Sequence, residues 1–269
     1  MSTGEKKWLG LHLGGVNTPR SAVVVINLKN HVPQVANILE KIGPLGNVGA
    51  DERVLEIISQ SGLSDVIFID APLASPPCVS CLEPVCPGAM ACSDVRVAYI
   101  SALAAKAGHR RRPIDPQAHR VWDVMQMQDR KFVDPTYSSS QSALVIRAQV
   151  LEKRLRSLNP RFRFKETHVP LAVLRLSSTL KIPQLELKQF RKFENGLRVR
   201  QRILTSFLEN QLVAMNSEDF AKISGSLEVF QAFLCAWLCV QDFLEFLQPP
   251  PKQYPLGEPW VWLPRGSAS

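Results

Sequence analysis

The stretch from Asp65 to Cys92, DVIFIDAPLASPPCVSCLEPVCPGAMAC, constrains this chain more than any other. Val66, Ile67, Phe68 and Ile69 form a short apolar run rich in β-branched residues, and Ala71-Pro72 ends it, which predicts a buried central strand. Asp70 stands at the carboxyl end of that strand. Open α/β sheets bind ligands beyond the carboxyl ends of their strands, so an acid at this position is a site candidate. The alternative is that Asp70 caps the following turn.

Four cysteines follow at once. Cys78, Cys81, Cys86 and Cys92 have the spacing C-x2-C-x4-C-x5-C within fifteen residues. Four soft thiolates on short spacers suit a tetrahedral structural zinc site; an iron–sulfur cluster, which also takes four thiolates, is the alternative. Such a site would be structural, because four protein ligands leave no open position for substrate. The metal reading assumes reduced thiols. The opening MSTGEKKWLGLHLGG has no long apolar segment or small-residue cleavage site behind its lysines, and no apolar run reaches a membrane-spanning length. The expectation is a cytoplasmic protein without a membrane partner. Cys235 and Cys239, one turn apart on an apolar helix, read as core.

Lys and Arg number 32 against 24 Asp and Glu, an excess of 8, compatible with a polyanionic partner such as nucleic acid. The basic residues cluster in His109-Arg110-Arg111-Arg112, in Arg147 to Lys165, and in Lys188 to Arg202. The last two also read as solvated helix faces.

Periodicity supplies the remaining elements. Trp8–Val16 and Ser21–Leu28 predict a hairpin across Asn17-Thr18-Pro19-Arg20. Val32–Ile42 predicts a third strand, although its apolar residues also fit a helical stripe. Helices are predicted from Ala50 to Ser61-Gly62, over Val95–Ala107, over Gln141–Leu158, across Leu185–Leu212 with a break at Asn195-Gly196, from Ser217, and over the apolar Leu227–Phe246. Arg161–Val169 predicts a strand leading to Glu166 and His168, a short helix follows over Pro170–Leu176, and Trp260–Leu263 predicts a last strand. The expected organisation is one domain over residues 1–269, with a cysteine-rich loop at 76–94 and an irregular insertion at 109–140. No Gly-rich phosphate loop is present.

GLHLGG at Gly10–Gly15, IDAPL at Ile69–Leu73, ETHVPLAVLRL at Glu166–Leu176, LEVFQAFLCA at Leu227–Ala236 and GEPWVWLP at Gly257–Pro264 resemble, in order and spacing, the "domain of unknown function four-two-nine" family. Members of that family are regarded as predicted nucleases. The resemblance implies an α/β, ribonuclease H-like fold: a mixed five-stranded sheet flanked by helices, with acids from the first strand, the fourth strand and a late helix converging on Mg²⁺ or Mn²⁺. Hard cations of this kind need oxygen ligands, activate water and neutralise charge on the scissile phosphate. Asp70 matches the acid of the second motif and Glu166 that of the third, which here is one residue longer before its proline. Two expected acids are replaced, one by His12 and one by Gln231. Asp70, Glu166 and Glu228 remain as ligands for one ion, with His12 as an atypical fourth member. The leading expectation is a divalent-metal-dependent nuclease or phosphodiesterase; the alternatives are a non-catalytic nucleic-acid-binding or protein-interaction module of the same fold and an actin-like nucleotide-binding protein. The missing phosphate loops put the last behind the others.

Overall fold

The computed structural model describes residues 6–15, 20–60, 65–106, 115–128 and 142–265. The basic knot at 109–112, the turn at 17–19 and the helix stop at 61–62 lie outside the described residues. In chain order the elements are β1 (Lys7–His12), β2 (Ser21–Lys29), β3 (Val32–Ile42), α1 (Ala50–Gln60), β4 (Val66–Ile69), α2 (Val95–Lys106), α3 (Val121–Gln128), α4 (Ser142–Leu158), β5 (Arg163–Glu166), α5 (Val169–Arg175), α6 (Ser177–Leu180), α7 (Gln184–Leu187), α8 (Gly196–Glu209), α9 (Ser217–Gly225) and α10 (Leu227–Phe243). α3 lies within the segment expected to be an irregular insertion.

Two compact units emerge. Met1–Ala71, Val150–Pro249 and Trp262–Ser269 make the first; Pro72–Gln149 and Pro250–Val261 make the second. The first holds a five-stranded sheet in the order β3-β2-β1-β4-β5. β1 pairs antiparallel with β2 and β2 with β3, whereas β1, β4 and β5 run parallel to one another. The carboxyl ends of these three central and edge strands therefore lie along one margin. β3 is a strand despite its helical stripe because Asn30 (φ 52°) and His31 (φ 64°) form a tight left-handed turn that folds it back onto β2.

α10 is buried on every face from Val229 to Val240 and lies across β1, β2 and β4. A helix apolar all round belongs in a core. Among the described residues no single helix is long and apolar enough to cross a membrane. Gly10 sets how closely α10 approaches: a Cβ there would stand 2.0 Å from the Ala236 nitrogen and 2.1 Å from the Ala232 oxygen. Only glycine allows this helix backbone to lie directly on β1.

The strand expected over Trp260–Leu263 does not form. Pro259 and Pro264 bracket the segment and cannot donate to a ladder; its backbone bonds are scattered, the Trp262 N–H reaching the Glu166 carbonyl (2.8 Å), the Leu263 carbonyl accepting the Gln248 N–H (2.9 Å) and the Trp262 carbonyl accepting the Thr167 hydroxyl (2.8 Å), and a bridge links Leu247 to Pro264. The second unit, taken by itself, builds α2 and α3 around Ile100, Val121 and Val124, with Tyr99, Leu103, Met125 and Tyr254 packed against them.

Candidate functional site

The site forms where β4 ends beneath α10. The last paired rows of the parallel ladders join Leu11, Ile69 and Glu166. His12 is the next residue of β1, and Asp70 is the residue that follows β4. Side chains alternate faces along a strand, and the α10 face is identified by Gly10, by Trp8, whose ring lies 5.2 Å from that of Phe243, and by Lys165, which pairs with Asp242 at 2.7 Å. His12 and Asp70 share the α10 face. Leu11, Ile69 and Glu166 point to the opposite one.

Asp70 is half-buried and bonded through both oxygens. Oδ1 accepts the Val169 N–H at 3.0 Å, and Oδ2 accepts the Gln231 side-chain amide at 2.7 Å. The Val169 N–H is one of the first-turn donors of α5 that no helical carbonyl can reach, so Asp70 caps a helix nearly a hundred residues away rather than its own turn. Hydrogen bonds to a charged carboxylate are worth about 1.5–3 kcal/mol each. Gln231 reaches Asp70 because Gly10 lets α10 sit flush on the sheet. One turn further along, Cys235 packs beside Asp70; burial, then the Asp70 charge, push its thiol well above the ordinary range. Cys239 is also core, and its Sγ donates to the Val66 carbonyl at 3.3 Å.

The other predicted ligands do not join Asp70. Glu166 is buried on the far face. Glu228 accepts the Ser226 hydroxyl at 3.0 Å while that hydroxyl caps the Val229 N–H, and its charge supports the buried Arg200 guanidinium, whose pKa burial pulls down. His168 is the N-cap of α5, its Nδ1 accepting from the Leu171 N–H at 3.2 Å. Among the described residues the Asp70 carboxylate is met by a backbone N–H and a side-chain amide rather than by a second acid, which does not fit Mg²⁺ or Mn²⁺; hard cations take several oxygen ligands.

Among the described residues, no group of three or more His, Cys, Asp or Glu side chains is arranged to hold a metal ion, the cysteine loop included. Its four cysteines are free thiols, Cys78 and Cys92 half-buried, Cys81 and Cys86 exposed. Burial first, then the Cys92, Cys86, Asp115 and Cys81 charges, push the Cys78 thiol up.

The second unit carries a buried polar cluster that sequence reasoning missed. Arg120 pairs with Asp123 at 3.2 Å, both almost fully buried, and the Val121 N–H donates to Glu258 Oε1 at 3.3 Å. Burial pushes the Glu258 carboxyl up to about 7, against the pull of Arg120 and Arg96. The signal in the sequence was a glutamate inside the apolar GEPWVWLP segment.

Comparisons with protein-family models, with curated proteins and with solved structures return no match to this chain.

Proposed function

We propose that this chain is a non-catalytic nucleic-acid-binding protein on a ribonuclease H-like scaffold, in which the former acid centre holds the fold together. The observation that carries the reading is the Gln231 amide on Asp70, at a position where the resembled family places an acid. Glu166 on the opposite face and Glu228 engaged with Ser226 and Arg200 support it. The mixed sheet flanked by helices is consistent with the scaffold, and the excess of eight positive charges suits a polyanion. The test sets labelled DNA, RNA and hybrid substrates against wild type and Asp70→Asn with Mg²⁺ and then Mn²⁺. Salt-sensitive binding without cleavage, retained in the variant, is expected. Metal-dependent cleavage that Asp70→Asn abolishes would restore the nuclease reading.

We also propose that the cysteine loop closes on a structural zinc ion through Cys78, Cys81, Cys86 and Cys92. Residues 79–91 are all exposed, Leu82, Val85 and Met90 among them, so no apolar core organises this stretch. Metal binding supplies folding free energy to such loops.

A further inference from the structure

The cations of Arg147–Lys165 are partly committed to the fold. Arg147 is buried, Arg154 pairs with Glu52 at 2.9 Å, and Lys165 pairs with Asp242 and lies 4.2 Å from the centre of the Trp262 ring. Residues 181–202 differ. Lys181, Lys188, Arg191, Lys192 and Arg198 are exposed, Arg202 pairs with Glu186, and only Arg200 is buried. In the middle of these cations Phe193 is fully exposed.

That exposure belongs to a braced turn. Phe190 is buried with its ring 5.6 Å from that of Phe230, and Arg200 donates to the Phe190 carbonyl at 2.8 Å and to the Ser224 carbonyl at 2.7 Å. The Gly196 N–H closes onto the Lys192 carbonyl at 2.9 Å, and a Cβ at Gly196 would stand 2.7 Å from the Phe190 oxygen. An open groove of about 660 Å³ lies between α7 and α8, lined among others by Gln189, Asn195, Arg198 and Arg202. Phe193 sits on the turn that joins the groove's two walls.

We infer that residues 181–202 form a binding face for single-stranded nucleic acid, with Phe193 as a stacking platform for a base and Lys188, Arg191, Lys192 and Arg198 as phosphate contacts. The inference rests on the nucleic-acid reading above and gives it a location and a strand class. An exposed aromatic ring among cations is how strand-tolerant binding sites hold unpaired bases. A duplex keeps its bases stacked inside, out of reach of the ring. The amides of Gln189 and Asn195 provide donors and acceptors for base edges. The groove is also lined by Pro183, Leu185 and the Glu186 carboxylate, which Arg202 pairs, and its concave shape suits a strand better than the flat surface of a bilayer.

The experiment measures anisotropy of labelled oligodeoxythymidine, oligouridine and a DNA duplex with the full chain, alongside vesicles containing phosphatidylserine. Single strands are expected to bind more tightly than the duplex, with log K falling with log salt at a slope of about −3 for four contacts. Phe193→Ala should weaken single-strand binding roughly 5- to 150-fold, the range for one lost stack. Lys188→Glu with Arg198→Glu should reduce the slope by about 1.4. All these side chains are exposed, and unchanged circular dichroism melts confirm folding. Wild-type binding that neither variant alters would overturn this face while leaving the nucleic-acid reading intact. Absence of nucleic-acid binding in the wild type would overturn both, and Phe193-dependent vesicle binding in its place would reassign the face to membranes.

Discussion

Replacing Glu258 by glutamine tests whether burial alone sets the pH response of the second unit. Glu258 Oε1 accepts the Val121 N–H, and Oε2 has no hydrogen-bond partner among the described residues. Burial raises the carboxyl from 4.5 to about 7, Arg120 and Arg96 pull it down, and Asp123 pushes it up. An unfolded chain has an ordinary glutamate, so between roughly pH 4.5 and 7 the folded state binds the extra proton. Stability is therefore present in full below that window and falls as pH rises through it. A gap of about 2.5 units at 1.36 kcal/mol each gives a loss of about 3 kcal/mol. Glutamine keeps an acceptor for Val121 and carries no charge. Urea unfolding from pH 5 to 8, read through tryptophan fluorescence, should show wild type losing stability while Glu258→Gln stays flatter and exceeds it above pH 7. An identical pH slope in both proteins would refute the assignment.

Other perturbations follow from packing and backbone geometry. Gly10→Ala drives a methyl group into the α10 backbone and should cost more than about 4 kcal/mol or prevent folding, read as lost soluble yield or a collapsed urea midpoint. His31→Gly removes a side chain from a left-handed turn position and should raise stability by roughly 1 kcal/mol in the same assay. Protein from zinc-supplemented cells should contain zinc by elemental analysis, lose it in Cys78→Ser with Cys92→Ser, and show the visible bands of a tetrahedral thiolate site on cobalt exchange. Four thiols that all titrate freely in metal-loaded native protein would refute the zinc site.

Elements whose pattern is local were legible in the order of residues alone. The apolar run Val66–Ile69 ended by Ala71-Pro72, the stripe of α1, and the apolar α10 all fix their own secondary structure through periodicity and breakers. The order of residues also marked Asp70 as the residue at the end of the central strand. What each acid does depended on contacts between distant segments. Strand register decides that Asp70 and Glu166 face opposite sides of one sheet, because a single-residue offset reverses a side chain. The close seat of α10 on Gly10 decides that Gln231 reaches Asp70, and the buried Arg200 decides where the Glu228 charge acts. The final strand failed for a related reason: Trp260–Leu263 has the composition of a strand, but its flanking prolines leave scattered backbone bonds instead of a ladder. Local pattern sets an element's type, whereas the partner of a polar side chain is chosen by whatever the fold brings within hydrogen-bond distance.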